Sequence, residues 1–528
     1  MMKALPTMLL FLAMLGNVVS YAQDGSLDTG FGGGDGLVTT AFYANHRSQG
    51  TAIAVQEDGK ILVTGYSRAP DGTDYAIVLR YHLDGLLDNS FNGNGKILLS
   101  HGPGYAQSIL VQPDQKIVVA QTTKDSAETK ISLHRFLENG IPDNTFGSNG
   151  TVHIALGAKS LSARALAIQA DGKILVGGYV FYQNDLFDRF YVARYLTNGL
   201  PDNSFDGDGI VITTVGDNYT SLNKILVQPD GKIIAVGYGS FNGSDDYAVV
   251  RYHGNGSLDH SFSDDGIASV SLSVGEDIAR GAALQPDSKI VMGGSSFNVV
   301  TSKYEFSAAR LNFDGTPDNS FNGDGKVIIS ISDYSDSANS LLLQPDGKIL
   351  IAGYAHSAIN GGSDMAIVRL DENGVPDLTF KGDGVAVYAD NETISSDLFA
   401  IALQPDGKLA ATGWEWIDGL HSIRVARFNI GLTTSITDPD ITATEVALFP
   451  NPITEIAQLQ YELKRDEIIT ISLNDLQGRI VQRLLSASPR AFGSHTEKLN
   501  IQQSLPPGIY LVNLQSERWL KSMKVVIE

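Results

Sequence analysis

The segment Asp-Asn-Ser-Phe-Asp-Gly-Asp-Gly at 202–209 puts Asp202, Ser204, Asp206 and Gly207 at positions 1, 3, 5 and 6 of a calcium-type loop. Calcium takes about six to eight oxygens, usually including a bidentate Glu at position 12. Position 12 here is Thr213, and the matching residues after Asp88 and Asp318 are Leu99 and Ile329. Turn chemistry is the better reading and calcium the minor one. No metal site or other cofactor is expected.

Binding chemistry has more candidates. Tyr182, Phe187, Trp414 and Trp416 offer flat faces for stacking on a sugar or packing on a partner protein, or serve only to shield the tops of the fold. His46 and His421 are possible ligands or bases, and equally ordinary loop residues. Asp217, Asp333, Asp336, Asp390, Glu392 and Asp397 fall in the same kind of segment. Glycoside chemistry needs two carboxyl groups at a defined distance, which a linear sequence does not give. There is no GxSxG, HExxH or phosphate-binding glycine loop. The chain has no cysteine, which removes disulfides, thiolate zinc sites and thiol nucleophiles together. Its net charge of −21 argues against a nucleic-acid partner. A non-enzyme is expected.

These residues sit within a repeat. Gln-x-Asp-x-Lys starts at Gln56, Gln112, Gln169, Gln228, Gln285, Gln344 and Gln404. An Arg follows each copy: Arg80, Arg135, Arg194, Arg251, Arg310, Arg369 and Arg427. An Asp-x-x-Phe motif also recurs, with aspartates Asp28, Asp88, Asp143, Asp202, Asp259, Asp318 and Asp377. Each internal Arg precedes its Asp by 8 residues and the next motif glycine by 15. By contrast, the span from that glycine to the Gln runs from 17 to 20, and from Gln to Arg from 23 to 25.

Each period holds four strand candidates, such as "IVITTV", "KILVQ", "KIIAVGY" and "DYAVVRY" between 210 and 252. Many are apolar on both faces, as in sheets covered from both sides. Four strands repeated seven times predict an all-β, seven-bladed β-propeller over 23–430, with a β-solenoid as the rival architecture. The first copy begins inside a blade, and the last ends after its Arg strand. Closure therefore pairs 36–40 with 423–428 and brings Arg427 to Asp28. If the strand ending at Gln is innermost, both variable connections reach one rim and the constant ones the other. Binding residues are expected on the variable rim.

Residues 1–22 read as a secretory signal peptide, with Lys3 before a short apolar stretch and small residues ahead of a cut before Gln23. No later segment is apolar enough for a transmembrane span. The repeat, with "QPDGKI", Arg-Tyr and Asp-x-Ser-Phe, resembles the delta-60 repeat family of bacterial surface and secreted proteins. Gln115 and Ser288 depart from it by replacing the turn glycine. The resemblance implies a propeller-like, non-catalytic domain and names no ligand.

Residues 431–445 read as an exposed linker, and 446–528 as a small Ig-like β-sandwich. "LFPNP" with Pro450, Asn451 and Pro452, "DLQGRIV" with Gly478, "LPPGIYLV" with Gly508 and Tyr510, and a closing Lys-rich strand from Lys521 resemble the type A sorting domain of the type IX secretion system of Bacteroidota. That resemblance implies Sec export, the type IX machinery as partner, and removal of the sorting domain with release or attachment at the outer surface. An ordinary accessory sandwich is the alternative. The expectation is a monomeric binding or structural protein, secreted or on the outer-membrane surface, with a glycan or protein ligand; the runner-up is a secreted carbohydrate-active enzyme.

Overall fold

The computed structural model describes residues 24–99, 102–124, 129–183, 185–357, 361–389, 395–417, 419–431, 447–453, 456–463, 466–474, 480–502, 505–506, 508–516 and 520–527. The leader over 1–22, the linker beyond 431, Asp390, Glu392 and Gly478 lie outside them.

Six four-stranded antiparallel sheets follow one another along the chain. They form blade 1 (48–98), blade 2 (104–154), blade 3 (160–213), blade 4 (220–270), blade 5 (277–329) and blade 6 (337–388). In blade 4 the strands are Thr220–Val227, Ile233–Phe241, Ser244–Tyr252 and Ile267–Val270. The second and third strands of each blade are buried over most of their length, because neighbouring blades cover both faces. The first strands of successive blades touch in turn, and Ser396–Leu403 touches Ser48–Val55 to close the circle. The strand ending at the repeat Gln therefore lines the central channel.

Blade 7 is built from both ends of the propeller. Ser396–Leu403, Leu409–Ile417 and Leu420–Asn429 are completed by Leu37–Thr40, with Leu37 opposite Ala426 and Thr40 opposite Ile423. The predicted closure is observed, and the N-terminal segment adds more than was predicted. Ser26–Leu27 also pairs with the end of the same strand. Asp24-Gly25 occupies the turn that Asp84-Gly85 or Asn139-Gly140 occupies elsewhere. In each blade a fully buried motif Phe packs beneath the turn glycine of the next: Phe91 under Gly140, Phe205 under Gly256, Phe321 under Gly374. A Cβ on Gly374 would come within 2.6 Å of the Phe321 ring, and its φ of +83° suits glycine. Phe380 finds Gly25 in that role, so the N-terminal segment supplies a piece every other blade takes from its own turn.

The constant rim is a closed belt. Arg251 Nε donates to Asp259 Oδ2 at 2.7 Å, and the corresponding Arg135–Asp143, Arg194–Asp202, Arg310–Asp318 and Arg369–Asp377 pairs span 2.6–2.8 Å. Arg80 meets Asp88 at 2.8 Å. Arg427 Nη1 meets Asp28 at 3.2 Å across the closure. Every arginine also donates to a carbonyl in the next blade's turn: Arg369 to Ile430 at 2.7 Å, and Arg427 to Leu83 at 2.9 Å. The Arg80, Arg135, Arg194, Arg251 and Arg310 guanidiniums make the same bridge, to Glu138, Thr197, Gly254, Phe313 and Glu372.

The C-terminal unit has two sheets, Ala447–Phe449, Ile456–Leu463 and Gly493–Asn500 against Ile480–Arg490, Glu467–Asn474, Gly508–Gln515 and Leu520–Ile527. Leu459, Tyr461, Leu473, Val512 and Val525 fill the space between them. Gly493–Asn500, "GSHTEKLN", is a strand the hydrophobic pattern does not announce, since one apolar residue stands among polar ones. The Pro450–Pro452 segment is fastened to the last strand. Val526 N donates to Asn451 Oδ1 at 2.8 Å, and Ile453 N to the Val526 carbonyl at 2.7 Å. Tyr510 donates its hydroxyl to the Pro506 carbonyl at 2.8 Å. Gly508 opens its strand, and Lys521 pairs with Leu514 in the ladder. No helix of the described residues is long and apolar enough to cross a membrane.

Candidate functional site

Strand direction brings both variable connections of each blade to the rim opposite the belt. The connection entering the first strand is tied there to the hairpin joining the second and third: Phe297 N bonds the Glu276 carbonyl at 2.7 Å, and Trp416 N the Ser395 carbonyl at 2.7 Å.

Between blades 4 and 5 these connections enclose a cleft of about 450 Å³. Tyr219, Phe297 and Tyr304 supply aromatic faces, and Asp245, Glu276 and Asn218 supply polar groups. The Phe297 and Tyr304 rings meet edge to face at 5.0 Å. Tyr304 donates its hydroxyl to Glu276 at 2.5 Å, and burial followed by that carboxylate pushes its pKa up to about 12. Asp245 accepts from Ser240. Tyr219 is 62% exposed and Val274 82%, so the walls are open to a ligand. Pairing flat apolar faces with carboxylate acceptors matches a sugar, whose ring has a C–H face and hydroxyl edges.

A second cluster lies on blade 7, within reach of Arg47 at the entry to blade 1 and of Ser363 on blade 6. The Trp414 and His421 rings stack at 4.3 Å, and Trp416 stands edge-on to His421 at 4.7 Å. Burial lowers the His421 pKa, and the Arg47 charge lowers it further. Asp397 accepts from Ser363 and is bonded by Trp414; burial still raises its pKa to about 6.

Of the sequence candidates, the structure brings together Trp414, Trp416 and His421. His46 is half-buried in the connection that also carries Arg47, entering blade 1. Tyr182 packs on the core shared by blades 2 and 3, and Phe187, 38% exposed, lies in the same connection beside the Asp185–Arg189 ion pair. The oxygens of Asp202 are taken by Arg194, Lys173 and Ser204. No cluster of three or more His, Asp or Glu suited to a metal occurs among the described residues. Tyr219, Asp245, Glu276 and Tyr304 escaped sequence reasoning, because nothing in one dimension joins the connections of two blades.

The class of protein is thus a closed seven-bladed propeller carrying a separate C-terminal sandwich. The family model described as "Domain of unknown function (DUF5122) beta-propeller" matches residues 56–91, 169–205, 228–262, 285–321, 344–380 and 404–429, and the secretion system C-terminal sorting domain matches 447–528. The chain is therefore made of DUF5122 propeller repeats followed by a type IX sorting domain, and it is delivered to the cell surface or the medium. No curated protein matches it. Among solved structures, a protein of unknown function from Dyadobacter fermentans is 12% identical, with a TM-score of 0.39, covering 75% of this chain and 98% of that one. The polysaccharide lyase Uly1 is 12% identical, with a TM-score of 0.42, covering 73% and 90%. The β-propeller domain of the Trilobed protease from Pyrococcus furiosus is 11% identical, with a TM-score of 0.40, covering 76% and 99%.

Proposed function

We propose that this exported propeller is a monomeric, cofactor-free glycan-binding protein whose ligand enters the variable-rim cleft between blades 4 and 5. The carrying observation is the convergence of Tyr219, Phe297 and Tyr304 with Asp245 and Glu276 around one cleft. The sorting domain engages the type IX machinery and takes the propeller to where extracellular glycans are met.

A glycan array probed with the purified full chain tests this. The account expects a confined set of glycans, bound about tenfold more weakly by Tyr219→Ala, the cost of one lost stacking contact of about 1.4 kcal/mol. An empty array, or binding unaffected by Tyr219→Ala, rejects the cleft; capture of a protein ligand there replaces the glycan. Deleting 446–528 strands the protein in the periplasm, and normal surface display of that truncation refutes the delivery route.

One observation favours a second reading, a carbohydrate-active enzyme. Asp397, with its pKa raised to about 6, lies beside Trp414 and has the character of a general acid. Release of reducing ends from a bound glycan, abolished by Asp397→Asn, would establish it.

A further inference from the structure

The hydroxyl groups lining the cleft between blades 4 and 5 have mostly given their protons away. Ser240 donates to Asp245, Ser244 Oγ to the Gly275 carbonyl at 2.6 Å, and Tyr304 to Glu276 at 2.5 Å. A hydroxyl has one proton to give and two lone pairs to receive with. Toward a ligand these three groups can therefore only accept. The Asp245 and Glu276 carboxylates, when ionised, also only accept. Among the lining side chains the Asn218 amide and the Tyr219 hydroxyl remain as donors. The wall is rich in acceptors and poor in donors, so a ligand must bring the hydrogens.

Charge points the same way. Asp245 and Glu276 line the cleft, and no Lys, Arg or His does. Asp217 stands exposed in the connection that carries Tyr219 and adds a third acid nearby. The cations of neighbouring segments are engaged elsewhere. Lys303 donates to Ser330 at 2.7 Å and to the Ser332 carbonyl at 2.8 Å, and it lies 3.6 Å from Glu305. Arg280 donates to Ser337 at 3.0 Å and to the Ala338 carbonyl at 3.2 Å, both on blade 6. Its charge also reaches Tyr304, but burial and the Glu276 carboxylate outweigh it there. Two carboxylates are too few for a calcium cage, and no cluster of three or more metal-binding side chains occurs among the described residues. A uronate or sulfate entering the cleft would meet like charge and would lose its water to a wall that offers few donors. A cation would be drawn in, by the lining acids and by the field of a chain whose net charge is −21.

The aromatic rings narrow the class further. An ammonium group brings three N–H donors, a positive charge and an attraction to ring faces. Tyr219, Phe297 and Tyr304 stand around a space of about 450 Å³, which suits a stiff sugar ring better than a flexible lysine chain. We infer that the cleft selects glycans bearing a free amine, with Asp245 and Glu276 receiving the ammonium of a hexosamine whose ring packs on the aromatic walls. This rests on the glycan-binding reading of the same cleft and names its ligand class.

Calorimetric titration of the full chain at about pH 5.5, where an amine is protonated and an ordinary carboxylate is ionised, tests the selection. The probes are a glucosamine trisaccharide, its N-acetylated counterpart, oligogalacturonate and trilysine. The glucosamine trisaccharide is expected to bind about tenfold more tightly than the N-acetylated one and to weaken with added salt, while oligogalacturonate gives no binding. Asp245→Asn combined with Glu276→Gln keeps acceptors for Ser240 and Tyr304, so it erases the preference without lowering the melting temperature. Tyr219→Ala weakens both trisaccharides alike. Equal affinity for the two trisaccharides, both weakened by Tyr219→Ala, overturns amine selection and leaves the cleft standing. A glucosamine preference that survives the double variant overturns it too, as does binding of oligogalacturonate, or of trilysine in place of the sugars. If neither trisaccharide binds, the amine is likewise rejected, and the glycan array decides whether the cleft falls with it.

Discussion

The two rims of the propeller handle charge in opposite ways. On the constant rim each buried arginine meets a buried aspartate, and the pattern is copied seven times. On the variable rim and along the channel the ionisable groups differ from blade to blade, and several are buried without an opposite charge. Burial raises the pKa of a belt aspartate, but hydrogen bonds from the Ser or Thr two residues on, together with the arginine charge, more than reverse it. Asp88, Asp143, Asp202 and Asp377 fall to about 2. Asp397 on the other rim rises to about 6. Repetition marks the groups that hold the ring, and the deviating groups are the ones the proposed ligand would meet.

The sharpest break in that contrast is Arg251→Gln. Arg251 is 1% exposed, and its loss leaves Asp259 buried and unpaired, an expected cost of about 3–5 kcal/mol in urea unfolding. Arg427→Gln, at the closure, is expected to cost about 3 kcal/mol. Arg189→Gln, which breaks a half-exposed pair with Asp185, is expected to cost about 1 kcal/mol or less. Equal melting temperatures for these two variants would count against a ring closed by the N-terminal strand.

Acid and base then separate the rims. The belt aspartates are held below their unfolded value of 3.8, so their contribution is complete above about pH 4 and lost as pH falls toward 2. Asp397 has the opposite sign. Its raised pKa lets stability fall as pH climbs from about 4 to about 6 and stay lower above that. Asp397→Asn is therefore expected to gain about 2–3 kcal/mol at pH 7 relative to its effect at pH 4, read from unfolding curves at the two pH values. An effect independent of pH would show that the carboxyl is not protonated in the fold.

The smallest expected effect lies in the belt's own turns. Gln115 and Ser288 hold φ of +63° and +67° where other copies place glycine. Gln115→Gly and Ser288→Gly should each stabilise by up to about 1 kcal/mol, since the left-handed conformation penalises a Cβ. A loss of stability in either would mean that the side chain makes a compensating contact.

What the sequence made legible follows from the same contrast. The Gln, Arg, Asp and Phe repeats announced blade number, closure and the variable rim, because each performs one geometric job seven times. Strand Gly493–Asn500 stayed hidden, since a half-exposed edge of the sandwich needs little apolar pattern. The Asp24-Gly25 turn stayed hidden because its counterpart lies at the far end of the propeller. The cleft was not legible, because Tyr219 and Tyr304 belong to different blades and meet only in three dimensions.

The division of labour between the rims is tested most directly by measuring melting temperature and glycan affinity side by side for Arg251→Gln and Tyr219→Ala. The account predicts that Arg251→Gln melts well below the parent yet binds as tightly where it is folded, while Tyr219→Ala melts with the parent and binds about tenfold more weakly. A Tyr219→Ala protein that loses stability and keeps its affinity, or an Arg251→Gln protein that does the reverse, would contradict it.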